Sequence, residues 1–358
     1  MLFKSIVSLA LVAAAAAQAT KGKAFDHVFI VFLENTNYQI AATDPILSSL
    51  TPQGVLLDNY SGVTHPSEPN YVAAAGGDYF GISDDSLYYI PSNVTTIVDL
   101  LEKKGLTWKT YQEDLPSPCF TGFNSTNLYM RKHNPFIIYD SIAQNQTRCN
   151  NVVPATQLAT DLAAGDLPNY SFYTPNMLND AHDTTIAYAS NWLNNTIIPL
   201  LSNPAFNNNT LVVITFDETE DYPIANRVWT LLLGDAVAAL KNTTDSTYYT
   251  HYSLLSTVES NWDLGNLGRQ DTNVTLSNVF DFVAKVTGYE NVNVTNPPFL
   301  NDTIPGFMTN HSTPLNTTTS GSGSSTTSST PKSAADSIAV PKVMAAFAVL
   351  AGAFAAMI

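Results

Sequence analysis

Thr210-Leu211-Val212-Val213-Ile214-Thr215-Phe216, followed at once by Asp217-Glu218-Thr219-Glu220-Asp221, is the stretch from which the fold can be read. An uncharged run rich in β-branched residues predicts a strand buried on both faces, the kind found inside a parallel sheet covered by helices. The acidic residues fall at its carboxyl end, where open α/β sheets gather their ligands. His27-Val28-Phe29-Ile30-Val31-Phe32-Leu33 repeats the pattern and ends in Glu34-Asn35-Thr36-Asn37.

Outward from these two runs, the pattern predicts helices over 95–104, 155–164, 186–201 and 254–262, the last opened by His251-Tyr252-Ser253. Further strands are expected over 107–111, 169–174 and 228–233. Strands alternating with helices give an α/β fold with a mostly parallel central sheet flanked by helices. Residues 20–313 are enough for one large domain with a substantial core. The formal charge of -15, with no basic patch, argues against nucleic acid as a partner.

The two ends read differently from the middle. Met1-Leu2-Phe3-Lys4, an apolar run over 6–17 and the small-residue site Ala17-Gln18-Ala19 have the order of a secretory signal peptide, 1–19. Residues 314–332 are almost all Ser, Thr, Gly, Pro and Asn, a composition that buries no core and suits an O-glycosylated stalk. Small residues around Ser333-Ala334-Ala335, a spacer and the apolar tail 343–358 follow, the order of a GPI-attachment signal over 333–358. A single transmembrane anchor ranks second, because the tail is short and lacks a basic stop. The expected location is therefore outside the cell, with membrane contact only through a GPI anchor. Glycosylation sequons stand at Asn59, Asn93, Asn124, Asn145, Asn169, Asn194, Asn208, Asn242, Asn273, Asn293, Asn301, Asn310 and Asn316. Cys119 and Cys149 are the only cysteines, and in an oxidising compartment they are expected to pair.

Chemistry gathers at element ends. Val63-Thr64-His65-Pro66-Ser67-Glu68-Pro69-Asn70-Tyr71 sets Ser67 between two prolines, ahead of a run that can start a helix whose N–H groups would face an arriving anion. Alone, the stretch also reads as a surface turn. Pro175-Asn176-Met177-Leu178-Asn179 leads to Asp180, His182 and Asp183, and Arg131-Lys132-His133 lies in a loop-rich excursion as an anion pocket or a solvated basic loop. Each member has a plain alternative, such as Asp217 or Glu218 as a helix cap. Their recurrence at successive element ends favours a site, and the oxygen-rich set suits a divalent cation.

The ordered motifs Phe32-Leu33-Glu34-Asn35, Thr64 to Tyr71, Lys132-His133-Asn134-Pro135, Pro175 to Asp183, Thr215-Phe216-Asp217-Glu218 and His251-Tyr252-Ser253-Leu254-Leu255 resemble the phosphoesterase family of secreted acid phosphatases and bacterial phospholipases C, above all the fungal phosphate-repressible acid phosphatases. The resemblance implies a fold like that of the alkaline-phosphatase superfamily and phosphate esters as substrates. It implies Ser67 as nucleophile, with Glu34, Asn35, Asp217, Glu218 and Asp180 around a divalent cation. His65, His182 and His251 would surround phosphate oxygens or donate the leaving-group proton, and Lys132, His133 and Asn70 would contact substrate. Imidazoles protonated in mild acid would favour phosphate binding. A second cation held by Asp180, His182 or Asp183, and His251 stays open. Monoester hydrolysis through a phosphoserine leads; a phospholipase C-type diesterase is the runner-up, and an inactive GPI-anchored wall glycoprotein is the alternative of another class.

Overall fold

β1 (His27–Leu33) is apolar on both faces because it lies in the middle of the sheet, paired in parallel with β7 (Tyr170–Thr174) on one side and β8 (Thr210–Phe216) on the other. The computed structural model describes residues 20–313. Among these, β2 (Val55–Ser61), β3 (Trp108–Gln112), β6 (Val152–Pro154), β9 (Arg227–Leu233), β10 (Thr243–Asp245) and β11 (Tyr249–Thr250) complete a nine-stranded sheet. β4 (Asn124–Ser125) and β5 (Tyr129–Met130) form a separate small hairpin. The order across the main sheet is β10-β2-β9-β8-β1-β7-β3-β6, with β11 also on β2. Only β9 runs antiparallel to its neighbours, so the mostly parallel α/β sheet holds. Because β1, β7 and β8 run the same way, their carboxyl ends share one edge.

Local chemistry sets the helices. Thr250 and Ser253 cap each other in a capping box, so the helix expected over 254–262 already begins at His251 (His251–Trp262). The helix expected over 186–201 breaks instead: it is α-helical over Ile186–Thr196 and 3₁₀ over Ile198–Ser202, where Pro199 has no N–H to continue the ladder. Every residue of the helix Ser67–Gly76 is buried. Its small residues are required there, since a Cβ on Gly76 would sit 2.1 Å from the Tyr139 hydroxyl, which donates to the Val72 carbonyl at 2.8 Å.

Cys119 and Cys149 are disulfide-bonded, as expected. The sequon at Asn169 is buried in this fold, with its Nδ2 donating to the Thr20 and Asp26 carbonyls at 3.1 and 3.0 Å. The proposed leader 1–19, stalk 314–332, GPI signal 333–358 and sequon Asn316 lie outside the described residues. No described helix is long and apolar enough to cross a membrane.

Candidate active site

Asn70 accounts for the position of Ser67. Fully buried, it accepts from the Val63 and Thr64 N–H groups at 2.9 and 3.3 Å and donates to the Thr64 and Pro66 carbonyls at 2.9 and 3.1 Å. These bonds clamp the turn, which contains a cis His65–Pro66 bond, onto the start of the Ser67 helix. The expectation that Asn70 binds substrate is therefore corrected, because its amide is fully engaged with backbone. The expected anion-binding helix start is reduced as well. The Glu68 N–H donates to Asp85 Oδ1 at 3.0 Å, and Pro69 has no N–H.

Ser67 itself meets the predicted partners. Its Oγ lies 2.9 Å from Glu34 Oε2, 3.1 Å from Asn35 Oδ1 and 3.3 Å from Glu218 Oε1. One hydroxyl carries one proton, so it satisfies only one of these three acceptors at a time. The strand extensions bring them together: Glu34 N–H donates to the Asp180 carbonyl (2.8 Å), Asp217 N–H to the Leu33 carbonyl (3.0 Å) and Thr36 N–H to the Glu218 carbonyl (3.2 Å).

Four buried carboxyl groups converge here, and burial raises the pKa of each. Glu218 is pushed up to about 9 by burial and then by the charges of Glu34 and Asp85. Asp217 and Asp180 are raised first by burial and then by Glu34. Glu34 is raised by burial, opposed by Lys132, His182 and the hydroxyls of Tyr71 (2.5 Å) and Ser67. Oδ2 of Asp217 and Oδ2 of Asp180 are buried without a hydrogen-bond partner among the described residues. Such a set is expensive to hold ionised without a counter-charge. Hard oxygen donors from Glu34, Asn35, Ser67, Asp217 and Glu218 fit a divalent cation. Glu34, His133 and His182 form a second group whose ligand atoms lie within 4.8 Å of one another.

The histidines divide. His65 Nδ1 bonds to Glu218 Oε2, while its Nε2 has no partner among the described residues. His133 is buried between Glu34 Oε1 (3.3 Å) and Asp180 Oδ2 (3.6 Å), stacked on Tyr71, and is enclosed by carboxyl groups and not open to substrate as expected. His182 is exposed, with Nε2 3.4 Å from Lys132 Nζ. His251 is corrected: Nε2 donates to the Asp217 carbonyl at 2.6 Å and Nδ1 accepts from the Tyr60 hydroxyl at 3.2 Å, so it orients the Asp217 loop and has no nitrogen free for proton transfer or for a second cation.

The expectation of imidazoles protonated in mild acid also fails for the buried histidines. Burial lowers His65 and His251 to about 4 and His133 well below its ordinary value. Positive charge comes from Lys132: burial works against it, but Asp85 (2.8 Å) and Glu34 outweigh burial and keep the ammonium protonated. Arg131 is buried with its guanidinium on the Ile137 carbonyl, so it is neither a solvated basic residue nor part of an anion pocket. Asp85, Tyr71 and Tyr222, which stacks on His65, were missed as site residues: Tyr71 ends the Ser67 motif but reads as an apolar helix residue, Tyr222 follows the acidic run after β8 without a charge of its own, and Asp85 lies in a loop with no pattern.

An α/β protein with a buried serine gathered among carboxyl groups at strand ends has the architecture of a hydrolase. The Phosphoesterase family model matches residues 34–265, and the chain belongs to that family. It is 47% identical over 296 residues to an acid phosphatase of Aspergillus fumigatus, covering 80% of this chain and 66% of that protein. It is 45% identical over 294 residues to a phosphate-repressible acid phosphatase of Penicillium chrysogenum, covering 80% of this chain and 71% of that one. The chain thus spans about two thirds of the length of these relatives. A crystal structure of a protein in the alkaline phosphatase superfamily from Vibrio parahaemolyticus overlaps 72% of this chain and 71% of its own at a TM-score of 0.47 and 13% identity.

Proposed function

We propose that this chain is an acid phosphatase that hydrolyses phosphate monoesters with Ser67 as nucleophile. The observation that carries the reading is the Ser67 Oγ, at the start of a buried helix, within 3.3 Å of Glu34, Asn35 and Glu218. Glu34, Asn35, Asp217 and Glu218 would hold a divalent cation, which when bound lowers the pKa of the nearby hydroxyl and neutralises phosphoryl charge.

The chain's own residues supply the rest. Ser67 gives its proton to Glu34, whose Oε2 lies 2.9 Å away and whose carboxylate Lys132 and the cation would keep ionised against the effect of burial, as the Oγ–P bond forms and the ester P–O bond breaks. The Lys132 ammonium meets a phosphoryl oxygen. A cavity of about 420 Å³ beside Asn35, lined also by Thr36, Ile40 and His182, offers room for the alcohol, and His182 on its wall donates the departing proton. Water then cleaves the phosphoserine and releases phosphate. The leader and tail segments support secretion and a GPI anchor within the same proposal.

The test is hydrolysis of p-nitrophenyl phosphate, bis-p-nitrophenyl phosphate and phosphatidylcholine by metal-replete protein, with Ser67→Ala alongside. The monoester should be turned over fastest, and Ser67→Ala should lower kcat by about 10⁴-fold or more. Near-normal hydrolysis by the variant removes Ser67 as nucleophile, and diester preference removes the monoesterase reading.

A further inference from the structure

The loop after Glu218 crosses the site and is fastened from far along the chain. Residues 220–225 are exposed, yet the Tyr222 ring stacks on His65 with centroids 4.0 Å apart and planes 20° apart. Burial, then the charges of Glu218, Asp85 and Asp217, raises the Tyr222 hydroxyl above its ordinary value, with Lys132 opposing them. The loop's far end is anchored by buried Asn226, which accepts from the Thr219 N–H (2.9 Å) and donates to the Thr64 and Leu300 carbonyls at 3.0 and 3.2 Å. Its middle is held by Asn301, whose Nδ2 donates to the carbonyls of Tyr222 and Ile224. Only the nitrogen end of that amide can face two carbonyls, and both of its hydrogens are engaged.

We infer that Asn301 straps the 219–226 loop so that Tyr222 acts as a positioning residue for the His65 imidazole, which in turn holds Glu218 with its other oxygen 3.3 Å from Ser67 Oγ, and that Asn301 is therefore left unglycosylated in the folded enzyme. An imidazole with one nitrogen on Glu218 and the other unpartnered among the described residues is held by a single bond, so its ring is free to tilt unless a face is covered. Tyr222 covers one face, adding the preference of aromatic rings for close, defined stacking. Asn301 is the first residue of the sequon Asn301-Asp302-Thr303. A glycan on Nδ2 would replace one of the two hydrogens, and one loop carbonyl would lose its donor. The strap and the glycan thus compete for one atom.

The kinetic part rests on the phosphatase reading; the strap does not, so the two are read separately. Thr303→Ala destroys the sequon and keeps the amide, whereas Asn301→Asp removes the donor with little change in size. Hydrogen exchange across residues 219–226 should be unchanged in Thr303→Ala and faster by about tenfold in Asn301→Asp, and the peptide containing Asn301 from wild-type protein made in a glycosylating host should have its unmodified mass. With p-nitrophenyl phosphate, Asn301→Asp and Tyr222→Ala should each lower kcat by about tenfold with KM little changed, and combine to no more than either alone. Tyr222→Phe, which keeps the ring, should restore the rate. Unchanged exchange in Asn301→Asp, or a glycan on Asn301 of active protein, overturns the strap. Full activity of Tyr222→Ala, or failure of Tyr222→Phe to rescue, overturns the positioning role. If the wild type hydrolyses no phosphate ester, the phosphatase reading fails while the exchange result still decides the strap.

Discussion

Two groups of buried carboxyls in this protein meet the same burial cost in opposite ways. At the sheet edge, Glu34, Asp180, Asp217 and Glu218 come from three strand ends and gather around Ser67, with oxygens of Asp180 and Asp217 left without partners among the described residues. Under the helix His251–Trp262, Glu259 lies against Asp271, whose two oxygens accept from the Leu267 and Arg269 N–H groups at 2.6 and 2.7 Å. Both sites are almost inaccessible. One proton shared with Asp271 serves the second pair and leaves a single oxygen, Glu259 Oε1, without a partner among the described residues, whereas the first set has more acceptors than protons and a nucleophile in its midst. A buried acid pair is an ordinary solution to packing, whereas an under-satisfied set beside a nucleophile calls for a ligand.

Withdrawing divalent cations is the strongest way to press the difference. Chelation should cut activity by about 10³-fold or more and lower the unfolding midpoint by about 5 °C or more, both reversed by added metal. If chelated protein kept its activity and midpoint, the sheet-edge group would be no different in kind from the pair at Glu259.

A smaller effect is expected at that pair. Burial, then the charge and hydrogen bond of Asp271, pushes Glu259 up to about 9 from its ordinary 4.5. Since the folded state keeps a proton that the unfolded chain releases, this contribution is complete below the ordinary value and is lost as pH rises towards 9. Midpoints of wild type and Glu259→Gln measured over about pH 5 to 8 should diverge, the variant's slope being shallower by about one proton. Parallel profiles would show that Glu259 is ionised in the fold.

The same contrast explains what could be read beforehand. Glu34, Asp217 and Glu218 were legible because each follows an apolar run whose direction and burial are dictated by composition, so the sheet carried them to one edge. Glu259 sits in mid-helix, where a glutamate is unremarkable in sequence. β2 was missed because Asp58 and Asn59 interrupt its apolar pattern. Asn70 and His251 were found by motif but given the wrong work: a motif marks which residues matter, while hydrogen-bond partners decide whether a polar group faces substrate or backbone. Tyr222 and Asp85 reach the site by folding of loops, for which no periodicity exists.

The central claim is that the Ser67 oxygen takes the phosphoryl group, and the direct measurement is mass spectrometry of enzyme quenched in acid during turnover of a phosphate monoester. The peptide beginning near Ser67 should gain the mass of one phosphoryl group on that serine, and the gain should vanish in Ser67→Ala. A phosphoryl group trapped on His65, His182 or any residue other than Ser67 would contradict the account.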